Sequence, residues 1–176
     1  MLNDTHTRNG QLEPAGDQWR LRFTRRLAHP PEKVWRALTE PEHLRAWFPQ
    51  QIEGDWKVGA RLVFKSEGAD FEGQVLTVEP PSVLEFSWGT DVLRFELARD
   101  GDGSVLTVLD TFAELGKAAR DAAGWHECLD NLERALEGQQ PASAPGAIWQ
   151  AVHPTYVKTF GPEAATVGPP SEAQLP

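Results

Sequence analysis

The sequence predicts an α+β fold in which a curved antiparallel sheet wraps around a long C-terminal helix, with two short helices after the first strand. Three patterns predict it. Residues 59–112 repeat with period two in short runs broken by Gly and Pro, the mark of an antiparallel meander. Ala118, Ala122, Trp125, Leu129, Leu132 and Leu136 recur at spacings of three and four, a helical apolar stripe. No helical pattern interrupts the meander, which excludes parallel crossovers.

The elements follow from the punctuation. Residues 1–16 carry no periodicity and read as a flexible N-terminal arm. From Gln18 to Ala28, Trp19, Leu21, Phe23 and Arg25 alternate with Arg20, Arg22, Thr24 and Arg26, as in a half-buried strand. His29-Pro30-Pro31 stops it, and Pro31 suits the first turn of a helix carrying Val34, Trp35 and Leu38 on one face. Thr39 and Glu42 read as a capping box for a second short helix, which holds Leu44, Trp47 and Phe48 and ends at Pro49. The meander then runs through 61–65, 71–78, 83–88, 92–97 and 105–112, with Asp100-Gly101-Asp102-Gly103 as a hairpin turn. Gly138 terminates the long helix. The domain therefore spans 17–138, followed by a Pro-rich tail over 139–176. That tail is too apolar at Ile148-Trp149 and Tyr156–Phe160 for a solvated segment, and Trp149, Tyr156 and Phe160 are expected to dock on their own domain or on a second subunit. Thr155 is placed to cap one helical turn between Pro154 and Gly161.

Composition narrows the function. In 176 residues, a net charge of −9 argues against a phosphate-binding surface, and so against nucleic acid. The single cysteine, Cys128, makes neither an intramolecular disulfide nor a four-thiolate zinc site, and reads as a small buried apolar residue. No run of 18 apolar residues spans a membrane, and the first ten residues lack an export signal's apolar core, so a cytoplasmic location is expected.

The segment Ala28-His29-Pro30-Pro31-Glu32-Lys33-Val34-Trp35-Arg36-Ala37-Leu38-Thr39-Glu40-Pro41-Glu42, followed by Leu44 and Trp47-Phe48, resembles the opening of the START-like (SRPBCC) superfamily. It is most similar there to the branch named after the activator of heat-shock-protein ATPase. Gly59, Gly73, Pro80 and Gly124-Trp125 extend the likeness over Trp19 to Glu137. The resemblance implies a helix-grip fold, a stress-response setting with a chaperone partner, and a cavity for an apolar ligand between sheet and helix. Members range from lipid carriers to cyclases and chaperone activators, so the fold does not fix the function.

Seven tryptophans give that cavity a lining. Trp47, Phe48, Phe64, Phe71, Phe86, Trp88, Phe95, Trp125, Leu129 and Leu132 are the candidate ligand-binding residues for a hydrophobic or aromatic small molecule. Arg61, Glu72, Arg94, Asp110 and His126 are candidates to orient it. An enzyme of the cyclase or hydrolase kind is the alternative, though no carboxylates pair as acid and base. A protein-interaction module, or a homodimer, is another. His126 and Asp130 stand i,i+4, where a zinc-protease motif would need a second His, and read as a surface pair. The Asp100–Gly103 turn lacks the frame of a calcium loop. Neither a metal nor a cofactor is implied. Arg20, Arg22, Arg25 and Arg26 read as the solvated face of the first strand.

Overall fold

A computed structural model describes residues 8–169. Eight strands form one antiparallel sheet in the order β1-β2-β8-β7-β6-β5-β4-β3. The strands are β1 (Gln11–Ala15), β2 (Gln18–Leu27), β3 (Gln51–Glu53), β4 (Arg61–Lys65), β5 (Phe71–Glu79), β6 (Val83–Trp88), β7 (Asp91–Asp100) and β8 (Gly103–Phe112). Helices α1 (Pro31–Thr39) and α2 (Pro41–Leu44) lie between β2 and β3, and α3 (Ala118–Leu136) and α4 (Ala147–Phe160) follow the sheet. The helix-grip arrangement predicted from the sequence is present. Leu21, Phe23, Leu62, Phe64, Leu84, Phe86, Leu93, Phe95, Leu106 and Val108 turn one face of the sheet onto Ala118, Ala122, Trp125, Leu129 and Leu132 of α3, and all are buried.

Four local expectations are corrected. The N-terminal arm is not unstructured throughout: Gln11–Ala15 is an edge strand paired with β2, and the Glu13 carboxylate accepts hydrogen bonds from Arg20 (2.7 Å) and Arg22 (2.9 Å). Pro14 is tolerated because an edge strand leaves one row of amides unpaired. The capping box does not form. Glu40 is the residue preceding α2, and the Thr39 hydroxyl instead donates to the Trp35 carbonyl (2.8 Å) inside α1. Helix α2 is only four residues long, and one further turn, closed by Phe48 N–H on the Leu44 carbonyl, delivers Trp47 and Phe48 to the core. In the tail, the single turn after Pro154 is a 14-residue helix with Pro154 inside it.

Gly138 does end α3. With φ +70°, it lets its own N–H reach the Ala135 carbonyl and the Gln139 N–H reach the Arg134 carbonyl, the paired bonds of a Schellman cap. Gly73 serves β5 differently: a Cβ there would overlap the Ser87 backbone carbonyl. Gly73→Ala is expected to destabilise by roughly 1–3 kcal/mol, since backbone rather than a flexible side chain must move. Gly124→Ala, in open space on α3, should gain about 0.5–1 kcal/mol from helix propensity. Chemical denaturation of the two variants checks both signs.

Candidate functional site: an aromatic cluster resting on a buried carboxyl

The β-strand period puts Phe86 and Trp88 of β6 on one face, and Phe95 of β7 beside them. Phe48 is the hub. Its ring centroid lies 5.5 Å from Trp47, 6.0 Å from Trp125, and 6.3 Å from each of Phe64, Phe86 and Trp88. Phe64 stacks on Phe71 (5.1 Å) and Phe86 (5.9 Å), and Trp88 meets Phe71 (5.9 Å) and Trp125 (5.7 Å). Leu129 and Leu132 are fully buried in the same core. Trp47, Phe48, Phe64, Phe86, Phe95 and Trp125 are buried, whereas Phe71 and Trp88 are half-buried. Trp56, outside the set expected from the sequence, joins the group 5.4 Å from Phe86. It sits in a loop without periodicity, so nothing in the sequence marked it.

Each indole N–H in this cluster has a partner. Trp47 donates to the Ala37 carbonyl (2.9 Å), Trp56 to the Thr39 carbonyl (2.7 Å), Trp88 to Gln50 Oε1 (3.0 Å) and Trp125 to Asp110 Oδ2 (3.0 Å). Two of the four partners are main-chain, one is a flexible side chain, and one is a buried carboxyl.

That carboxyl belongs to a polar pocket behind Trp125. Asp91, Asp110 and Asp121 bring carboxylate oxygens within 4.8 Å of one another. Lys117 Nζ donates to both oxygens of Asp91 (2.6 and 2.8 Å) and lies 3.6 Å from Asp121, which also pairs with Arg120 (2.8 Å). Three carboxylates would suit an oxygen-preferring cation, but the Lys117 ammonium sits among them as their counter-charge. Burial pushes the Asp110 carboxyl well above the usual range, and the charges of Asp91 and Asp121 push the same way. Burial raises Asp121 too, against Arg120 and Lys117. Asp110 Oδ1 has no hydrogen-bond partner among the described residues.

The other polar candidates lie elsewhere. Arg61 and Glu72 pair with each other in solvent. Arg94 is on the opposite face of β7 from Phe95 and pairs with Glu96 (2.8 Å) and Glu85 (3.4 Å). His126 is not a surface residue. It is buried beneath α4, with Nδ1 2.9 Å from the Tyr156 hydroxyl and Nε2 3.7 Å from Asp130. Arg25 is also buried rather than solvated, and it pairs with Asp130 (2.8 Å) and Glu133 (3.2 Å). Its place in the alternation with Leu21 and Phe23 was the signal for that. Cys128 is buried and its thiol is pushed up by burial, which removes the thiolate a nucleophile needs. A hollow of about 140 Å³ between α1, α2 and the end of α3, lined by Lys33, Arg36, Ala37, His43, Ala135 and Leu136, shares no residue with the aromatic cluster.

A buried carboxyl that binds its proton more tightly when folded stabilises the fold at low pH, and the contribution fades as pH rises through the folded value. Asp110→Asn keeps an acceptor for Trp125 and no longer ionises. The difference in melting temperature, variant minus wild type, should therefore grow as the pH rises from 4 to 8. A difference that stays flat across that range would contradict the assignment.

Comparison with known proteins matches this architecture. A conserved protein of unknown function, EF2215 from Enterococcus faecalis, superposes with a TM-score of 0.72 at 20% identity, over 86% of this chain and 90% of that one. CalU16 from Micromonospora echinospora gives 0.69 at 25% identity, over 86% and 94%. DynU16, from the dynemicin biosynthetic locus, gives 0.62 at 25% identity over 71% of this chain and 49% of its own. No curated protein matches the sequence. No helix among the described residues is long and apolar enough to cross a membrane. The family model described as Activator of Hsp90 ATPase homolog 1-like protein matches residues 28–137, from the turn before α1 to the cap of α3, and the chain belongs to that family.

Proposed function

We propose that the protein binds a hydrophobic or aromatic small molecule between the curved sheet and α3. The observation that carries this reading is the aromatic cluster itself, continuous from half-buried Phe71 and Trp88 to Trp125. An ordinary core needs volume, which leucine and valine supply. A surface of touching rings that reaches solvent at one end also offers stacking and edge contacts to an incoming ring. Entry turns Trp88 and Phe71 away from their neighbours; the one polar contact of the Trp88 ring among the described residues is its Gln50 hydrogen bond, and each ring has two rotatable bonds. The locus from which DynU16 comes, a biosynthetic one, favours a small molecule over a macromolecule as the occupant. The enzyme alternative has less support. Asp91, Asp121, Lys117 and Arg120 are engaged with one another, which leaves Asp110 as a single carboxyl without a partner acid or base.

Calorimetric titration with 1-naphthol, anthraquinone-2-sulfonate and palmitate tests the reading. One-to-one saturable binding of at least one probe is expected, with a negative heat-capacity change from apolar burial. Trp88→Ala should weaken it by about tenfold, the equivalent of one lost aromatic contact. Absence of saturable binding by all three, or equal affinity in Trp88→Ala and Phe71→Ala, would overturn it.

A further inference from the structure

Helix α4 lies outside the residues matched by the family model and packs on α3 rather than joining the sheet. It is held to α3 by polar groups that are almost all buried. The Glu127 carboxylate accepts hydrogen bonds from the N–H groups of Gly146 (3.1 Å), Ile148 (3.0 Å) and Trp149 (3.3 Å), the orphan donors at the start of α4. Trp149 Nε1 donates to the Arg120 carbonyl (2.9 Å). Further along, the Tyr156 hydroxyl accepts from Gly10 N–H (2.9 Å) and meets His126 Nδ1 (2.9 Å). Tyr156 is about as buried as any side chain in the protein.

The hydrogen-bond arithmetic at His126 fixes its state. Among the described residues His126 Nδ1 is the one acceptor that meets the buried Tyr156 hydroxyl, so its O–H is satisfied only by donating there, which requires Nδ1 to be bare. The ring proton is then on Nε2, facing Asp130 Oδ2 at 3.7 Å. A second proton, on Nδ1, would set two donors against each other. The hydroxyl would have to turn away from its acceptor.

We propose that α4 is an acid-released strap: proton uptake by His126 breaks the hydrogen bond that Tyr156 donates and frees residues 147–160 from α3. The charged surroundings of His126 are mixed. Asp130 and Glu133 come from its own helix, Arg25 from β2 and Arg8 from the segment before β1, and the two arginines are paired with those two carboxylates. The anions are thus already committed to other cations, and burial dominates: it holds the imidazole pKa below the ordinary histidine value. Tyr156 itself, from α4, is pushed up to about 12 by burial and stays a neutral hydroxyl throughout. The docked form therefore binds fewer protons than the released form. Docking is at full strength above the ordinary histidine range and weakens as pH falls through it toward the lower docked value.

Hydrogen–deuterium exchange of the full chain, corrected for intrinsic rates at each pH, reads the strap and the core separately. Between pH 7.5 and 5.0, protection of α4 amides should fall severalfold. The ceiling is about thirtyfold, set by a free histidine near 6.5 and a docked ring that takes no proton. Amides of β7 and β8 should keep their protection. His126→Asn, whose side-chain oxygen replaces Nδ1 as acceptor, should leave α4 docked and remove the pH dependence. Constant α4 protection in the wild type, an unchanged pH dependence in His126→Asn, or parallel loss of protection in β7 and β8 would each overturn the proposal. If the asparagine variant fails to dock, Tyr156→Phe, which loses the hydrogen bond but keeps the imidazole buried, should shrink the pH dependence of α4 protection without abolishing it, and an undiminished dependence would overturn the proposal.

Discussion

Helix α3 must bury two sides at once, and the rest of the molecule is arranged around that requirement. One side covers the inner face of the sheet with Trp125, Leu129, Leu132 and Leu136. The other carries His126 and Glu127 beneath α4. Eleven of its nineteen residues are buried, more than a single stripe can supply. A fully apolar second side would have been indifferent to how α4 sits. Glu127 on the amides that open α4, and His126 on Tyr156, fix the position and direction of α4 instead, because a buried polar group left without its partner costs more than a lost apolar contact.

The sheet side of α3 divides into an apolar and a polar zone at Trp125. Its ring joins Phe48, Trp88 and Phe95, while its N–H joins Asp110 and, beyond it, the ion pairs of Asp91, Lys117, Asp121 and Arg120. Such a network is expensive to bury and contributes little net stability, but it makes the indole's orientation specific. The tryptophan nearest the centre of the aromatic surface is thus held by a charge cluster, whereas Trp88 at the edge is held by one amide side chain. That gradient from fixed to yielding rings is what the proposed ligand entry past Phe71 and Trp88 requires.

The architecture was legible because period-two strands and a three–four helical stripe are strong signals, and the sheet has one large helix to cover it. The aromatic residues were legible as a set for the same reason: strand alternation places Phe86, Trp88 and Phe95 together. What the sequence concealed was pairing across long separations. Arg25 on an apolar register, and Ala119 and Ala123 widening the stripe of α3, were faint signs of a second buried layer, yet nothing local says that Glu127 caps a helix beginning twenty residues later. The edge strand Gln11–Ala15 was hidden by its proline and by the lack of alternation in five residues. Asp91, Asp110 and Asp121 meet only through the β7–β8 pairing and the start of α3, so their spacing carries no motif.

The central claim is that an apolar ligand occupies the ring surface between sheet and α3. Indole N–H resonances report each tryptophan separately, which makes them the most direct probe during a titration with 1-naphthol or whichever probe binds. The account requires the Trp88 and Trp125 signals to shift together along one saturable curve while Trp149, on α4, stays in place. Saturable shifts confined to Trp149, or binding that leaves Trp88 and Trp125 unmoved, would place the ligand elsewhere and contradict it.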